Sequence, residues 1–243
     1  MRRVLLVLVV VGCHPGGDDY PVAPGAAGVG GGLPTFADAG FDGSGANGGP
    51  QLIGQVCLIT DPRDQTSCAS TGAGGLTVTL GTSVATTADN GTFTIARPSG
   101  SNITWDVSEP ALNSIIESIT PFTAQAVIPA MPTVVYGQLE GDNGVVPQAG
   151  QGAVMLRVTQ FGVPVAGATA TAVPGGVYGT FYDGPTPSAW TANGTGSFGT
   201  AWIPALLAGS VDVTVMPQGG TPVVLSLVPI KEAAITFLTE ELP

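Results

Sequence analysis

Apolar and polar residues alternate with a period of two along much of this chain, beginning with Leu76, Val78 and Leu80 against Thr77 and Thr79. That is the pattern of a half-buried strand. Gly81-Thr82-Ser83 turns the chain, Val84 to Thr87 returns, and Asp89-Asn90-Gly91 turns it again into Thr92-Phe93-Thr94-Ile95. Asn and Gly tolerate the positive φ that hairpin turns require. Ile53 to Thr60 forms an earlier strand, and Ile103, Trp105 and Val107 alternate with Trp105 inward. Leu112, Ile115, Ile116 and Ile119 recur at helical spacing after Ser108 as N-cap, so the pattern predicts a short helix over Pro110–Ile119. Thr133 to Leu139 reads as a closing strand, and Gly141, Asn143, Gly144, Pro147 and Gly150 mark a boundary.

The pattern recurs about a hundred residues later. Val154, Leu156 and Val158 alternate, as do Val211, Val213 and Val215, and Thr221 to Val228 and Ala233 to Thr239 supply two more strands. Thr86-x4-Gly91-Thr92-Phe93 is echoed by Thr191-x4-Gly196-Ser197-Phe198, and Gly54, Gly91 and Gly100 correspond to Gly152, Gly196 and Gly209. The expected fold is all-β: two tandem antiparallel β-sandwiches over residues 51–145 and 150–243, with a single large barrel as the competing arrangement. Phe93 and Phe198 are expected in the core. The 37 Gly and 21 Pro among 243 residues suit short strands joined by tight turns. Between the second and third strands of the second module, Pro174 to Ala189 is an insertion carrying Tyr178, Phe181 and Tyr182, with Trp190 after it.

The first fifty residues differ. Arg2 and Arg3 precede an unbroken apolar run, Val4 to Val11. That run is far shorter than the ~20 residues a transmembrane helix needs, so residues 1–12 read as a signal peptide. Residues 13–50 are Gly, Ala, Pro and Asp without period, a flexible tether whose root-mean-square reach is about 35 Å. Asp38 to Gly43 lacks the regular ligand spacing of a calcium loop and reads as linker.

The net charge is −11, and removal of Arg2 and Arg3 takes it to −13. Arg63, Arg97, Arg157 and Lys231 are then the only basic side chains, too few for a nucleic-acid interface. His14, in the tether, is the one histidine, so neither a Ser-His-Asp nor a Cys-His nucleophile can be assembled from the folded part, and no metal site is expected. Carboxylates remain: Asp61, Asp64, Asp106, Glu109 and Glu117 in the first module, Asp183 and Asp212 in the second. A paired acid and base could hydrolyse a glycoside. No spacing singles out a pair, so neither a catalytic residue nor a cofactor is assigned. Cys57 and Cys68, an even pair in an exported chain, read as a disulfide. Tyr178, Phe181, Tyr182 and Trp190 have two readings. They stack on a sugar ring or anchor a partner protein, or the insertion folds back to cover a sandwich edge; the second is favoured.

Two resemblances follow from these residues. Val10-Val11-Gly12-Cys13 resembles the lipobox of bacterial lipoproteins, with valine where leucine is commonest. The resemblance implies cleavage before Cys13, a lipid thioether on that residue and membrane attachment through it. His14 after the cysteine implies an outer-membrane address. Gly162 to Ala168, the Thr191–Phe198 turn and Ala208 to Val215 resemble the carboxypeptidase regulatory-like domain, as do Gly54 to Val56, Gly75 to Leu80, Thr86 to Phe93 and Gly100 to Val107. That family implies a transthyretin-like, Ig-like sandwich serving as an accessory, non-catalytic module. The expected function is therefore a non-enzymatic envelope lipoprotein with structural, adhesive or protein-binding roles. A carbohydrate-binding module using the insertion aromatics is the alternative, and a carboxylate glycosidase the weaker one. An envelope protein or a glycan is the expected partner.

Overall fold

The computed structural model describes residues 51–69, 71, 73–97, 103–108, 114–119 and 125–243, with sixteen strands and one helix among them. In the first half, β1 (Gln51–Leu58), β4 (Thr92–Ala96) and β7 (Gln125–Ala130) form one sheet in the order β4-β1-β7. It faces a second layer of β2 (Thr77–Leu80), β3 (Ser83–Thr86), β5 (Ile103–Ser108) and β6 (Ser114–Ile119), ordered β3-β2-β5-β6. The alternation places Leu52, Val56, Val78, Leu80, Phe93, Ile95, Trp105 and Val107 between the layers. Phe93 and Trp105 meet edge to face at 5.5 Å. Gly54 is a strand glycine because a Cβ there would lie 2.2 Å from the Phe93 ring.

In the second half, β10 (Thr169–Val173), β14 (Gly209–Met216) and β15 (Val223–Ile230) pack over β8 (Gln151–Gln160), β11 (Phe181–Thr186), β12 (Ala189–Thr191), β13 (Thr200–Leu207) and β16 (Ala234–Leu242). The two-residue strand β9 (Val163–Pro164) folds back on β8. Both halves are thus sandwiches, as the alternation predicts. Their strand orders differ: the first strand of one half lies in its smaller sheet, that of the other in its larger sheet.

Two local expectations are overturned. Residues 114–119 are strand β6, not helix, with β5 on one side and β16 on the other. Closely spaced isoleucines suit a sheet-interior strand as well as a helix, and backbone partners on both sides decide it. Conversely, residues 133–142 are the helix α1 (Thr133–Asp142), not a closing strand. Val135, Tyr136 and Leu139 fall on one stripe and pack against the core, while Val134 is exposed. Phe198, expected in the core, is only half-buried.

The larger layers of the two halves are one sheet, joined where β6 pairs in parallel with β16 through Ser114–Ala234, Ile115–Ile235 and Ile116–Thr236. β1–β7 and β8–β16 are also parallel, so the sheets are mixed where antiparallel pairing was expected. These partners are linked through whole hairpins and layers rather than crossover helices. β8 is buried on both faces. Val154, Leu156 and Val158 face Val211, Val213 and Val215, whereas Ala153 and Met155 join Trp202, Ile235 and Phe237 in a core continuous with that of the first half.

Candidate functional site

The insertion aromatics do not form one platform. Phe181 and Tyr182 are neighbours in β11, so they point to opposite faces of the sheet. Phe181 packs on Trp202 at 5.2 Å, beside Trp190 at 5.9 Å and Tyr136 at 6.0 Å, an aromatic cluster around a fully buried indole. Trp190 donates its Nε1 hydrogen to Pro187 O at 2.9 Å. Tyr182 is buried in the second sandwich, where its hydroxyl accepts from Ala170 N (2.9 Å) and donates to Ala170 O (3.1 Å). Thr180 Oγ1 adds a bond to the same carbonyl at 2.7 Å. Tyr178 stands apart: its hydroxyl accepts from Val146 N at 3.0 Å, tying the insertion to the segment after α1.

That segment, α1 and the start of β8 border an open pocket of about 260 Å³. Tyr136, Glu140, Pro147, Ala149, Ala205 and Glu232 line it. Glu232 accepts from Gly150 N at 2.7 Å. Burial pushes the Glu140 carboxyl above its ordinary range, with the Tyr136 phenol opposing. Burial raises the Tyr136 phenol further still, and Glu140 adds to it. The sequence reading missed this pocket because it took residues 133–139 for a strand. On a helix, Tyr136 and Glu140 are four apart and share a face.

The disulfide joins Cys57 and Cys68, as expected, and closes a loop that reaches across to the second half. Arg63 donates to Gly184 O at 3.1 Å and lies over the Phe198 ring at 4.8 Å. Its backbone carbonyl accepts from Thr200 Oγ1 at 2.6 Å, and Gln65 donates to Met155 O at 3.2 Å. Asp61 holds the guanidinium through two bonds, at 3.0 and 2.7 Å. Burial pushes the Asp61 carboxyl up, but the Arg63 side-chain and backbone bonds outweigh it and leave the group below its ordinary range.

The other candidate carboxylates also hold backbone or ion pairs. Asp183 is buried and accepts from Gly196, Phe198 and Thr200 N–H groups, each at 2.8 Å. A Cβ on Gly196 would meet Asp183 O at 2.4 Å, so glycine is required there by close approach. Asp64 accepts from Thr66, Asp212 from Leu227 N, and Asp106 pairs with Lys231. Cys13, His14, Glu109 and the Glu117 side chain lie outside the described residues. Among the described residues, no group of three or more His, Cys, Asp or Glu is placed to hold a metal, and no helix is long and apolar enough to cross a membrane.

No family model matches the chain, and no curated protein matches it. Among solved structures, it is similar to a chain of a type II cohesin–X–dockerin complex from Acetivibrio cellulolyticus, with 19% identity and a TM-score of 0.23, covering 34% of this chain and 56% of that one. It is similar to a streptococcal ancillary pilin at 12% identity and TM-score 0.23, covering 80% and 63%. A group B streptococcus pilus 2b backbone protein matches at 13% identity and TM-score 0.25, covering 79% and 84%. The chain spans less than two thirds of the first two. Superpositions this loose assign no function.

Proposed function

We propose that this chain is a non-enzymatic lipoprotein of the bacterial cell envelope, lipidated on Cys13, addressed to the outer membrane and held away from it by residues 14–50. Its folded part is a structural or adhesive body for display to a protein partner. The observation that carries this reading is how the two sandwiches join. A common sheet through β6 and β16, a continuous core, the disulfide loop bearing Arg63 and the Lys231–Asp106 ion pair all span the junction. A body braced in this way resists bending between its halves, which suits display and load-bearing. The aromatics and carboxylates that a sugar-binding or hydrolytic reading needs are engaged in the fold: Tyr182 on Ala170, Asp183 on three amides, Asp61 on Arg63. The resemblance to carboxypeptidase regulatory-like domains supports the same accessory role.

Labelled palmitate fed to a bacterial host expressing the wild type and Cys13→Ala tests the anchor. The expected result is label on the wild type alone, and equal labelling of both removes the lipoprotein reading. A glycan array probed with the mature chain separates the classes. Specific binding lost in Trp190→Ala, or turnover of any glycan, overturns the display reading.

A further inference from the structure

Glycine follows asparagine four times in this chain, at Asn47, Asn90, Asn143 and Asn193. In such a pair the glycine backbone nitrogen can attack Cγ of the asparagine amide. A new C–N bond closes a five-membered imide, and the side-chain nitrogen leaves as ammonia, taking the backbone proton. Water then opens the ring at either carbonyl, leaving aspartate or isoaspartate. Glycine obstructs the attack least because it has no Cβ. The following residue is the same in every pair, so what separates the sites is how firmly the fold holds the two reacting groups. Asn47 lies outside the described residues.

Two of the other three pairs are held. At Asn90, Oδ1 accepts from Thr92 N at 3.1 Å and from Thr92 Oγ1 at 2.7 Å. Gly91 N donates to Ala88 O at 2.8 Å, and the buried Gly91 accepts on its carbonyl from Val56 N at 2.9 Å. Asn143 caps the end of α1, where its Nδ2 donates to Leu139 O at 2.8 Å and Gly144 N donates to Gly141 O at 3.3 Å. Such bonds must break before either ring can close.

Asn193 and Gly194 are different. Asn193 is exposed, and neither its side chain nor Gly194 N has a hydrogen-bond partner among the described residues. The glycine is nonetheless required: its φ is +115°, and a Cβ there would lie 3.1 Å from Ala168 O. Thr195 pins the chain that follows. Its N donates to Ala168 O at 2.8 Å and its carbonyl accepts from Gly167 N at 2.6 Å. Its Oγ1 accepts from Ala168 N at 2.9 Å and donates to Val165 O at 2.6 Å. The fold thus demands Gly194 and leaves Asn193 free, which keeps the reactive pair together without engaging it.

We propose that Asn193 is a site of spontaneous deamidation in the folded protein, converting to aspartate and isoaspartate through the imide with Gly194, while Asn90 and Asn143 are protected. Each event adds a negative charge beside the groove lined by Asp183, Thr191, Gly194 and Ser197. Isoaspartate also lengthens the main chain by a methylene. With Thr195 held, the extra length is taken up in the exposed Ala192 and Asn193.

The test is timed incubation of the mature chain, residues 13–243 with Cys13→Ser, at mildly alkaline pH. Peptic mapping at low pH, where the amide is stable, then separates the asparagine, aspartate and isoaspartate forms of each site by mass spectrometry. In the folded chain Asn193 should convert roughly tenfold faster, or more, than Asn90 or Asn143, because breaking a hydrogen bond first raises the barrier by about that factor. In concentrated urea the three rates should converge. Asn193→Ser should abolish the fast acidic species and leave thermal unfolding unchanged. Conversion of Asn193 no faster than at Asn90 or Asn143, the folded ranking persisting in urea, or an Asn193→Ser chain that is destabilised overturns the proposal.

Discussion

The hydroxyl of Tyr182 is bonded to both backbone groups of Ala170, accepting from its N–H at 2.9 Å and donating to its carbonyl at 3.1 Å. Ala170 belongs to β10, which among the described residues is an edge strand with β14 as its only sheet partner. The side chain therefore does for this edge what a further strand would otherwise do.

Tyr182→Phe should cost about 1–3 kcal/mol, because it keeps the ring but leaves the Ala170 N–H without its partner in a buried site. Differential scanning calorimetry should show a lower Tm with no loss of strand content. An unchanged Tm would mean that water replaces the hydroxyl.

Glu240 makes stability depend on pH. It is buried, and burial first, then the neighbouring charge of Glu241, pushes its carboxyl up from 4.5 to about 7. Between those values the folded chain binds a proton that the unfolded chain has released. Its contribution is therefore fully present below pH 4.5 and lost as pH rises through 7. Glu240→Gln should leave stability, and with it Tm, nearly unchanged at pH 4, and at pH 8 should raise stability by roughly 1 kcal/mol after solvent screening and at most about 3 kcal/mol. A Tm gain equal at both pH values would show that charge is not the cause.

Much of the strand pattern was legible because alternation reports a half-buried sheet face directly, as at Val78, Leu80, Trp105 and Val107. What was not legible depended on partners distant in sequence. Residues 114–119 are a strand because β16, more than a hundred residues later, supplies one of their sides. Residues 133–142 are a helix although Val134, Val135 and Gly137 are poor helix formers, because Leu139 and its neighbours pack into the core. The Cys57–Cys68 pairing was legible from count and compartment. That its loop would carry Arg63 onto Phe198 was not, since no local pattern encodes a contact spanning 135 residues by subtraction.

The disulfide and Arg63 should therefore be coupled. Replacing both cysteines by serine should cost about 3 kcal/mol from loop entropy. Arg63→Ala should cost about 1–3 kcal/mol by freeing Asp61 and uncovering Phe198. In the cysteine-free background the arginine change should cost less, because the loop no longer presents it. Urea denaturation of the four proteins gives the coupling energy, and strict additivity would show that the loop docks without its bridge.

The two halves should not separate when the chain is cut between them. Residues 146–149 are exposed, so a protease site placed there can be cleaved without disturbing a strand. The alternation alone favours release of two independent sandwiches. The packing argues otherwise: Met155, Trp202, Ile235 and Phe237 of the second half share one core with Trp105, Ile128 and Leu139. At the seam, β6 also loses a partner if β16 leaves. Baring that much apolar surface would cost each half more than a cut linker gains in entropy. The nicked protein should keep the hydrodynamic size of the intact chain and unfold in one transition. Phe237→Ala should cost about 3–5 kcal/mol and lower the unfolding midpoint equally whether Trp105 or Trp202 is the fluorescent reporter. Two fragments that elute apart, each with its own cooperative transition, would show that the shared core is not what holds the halves.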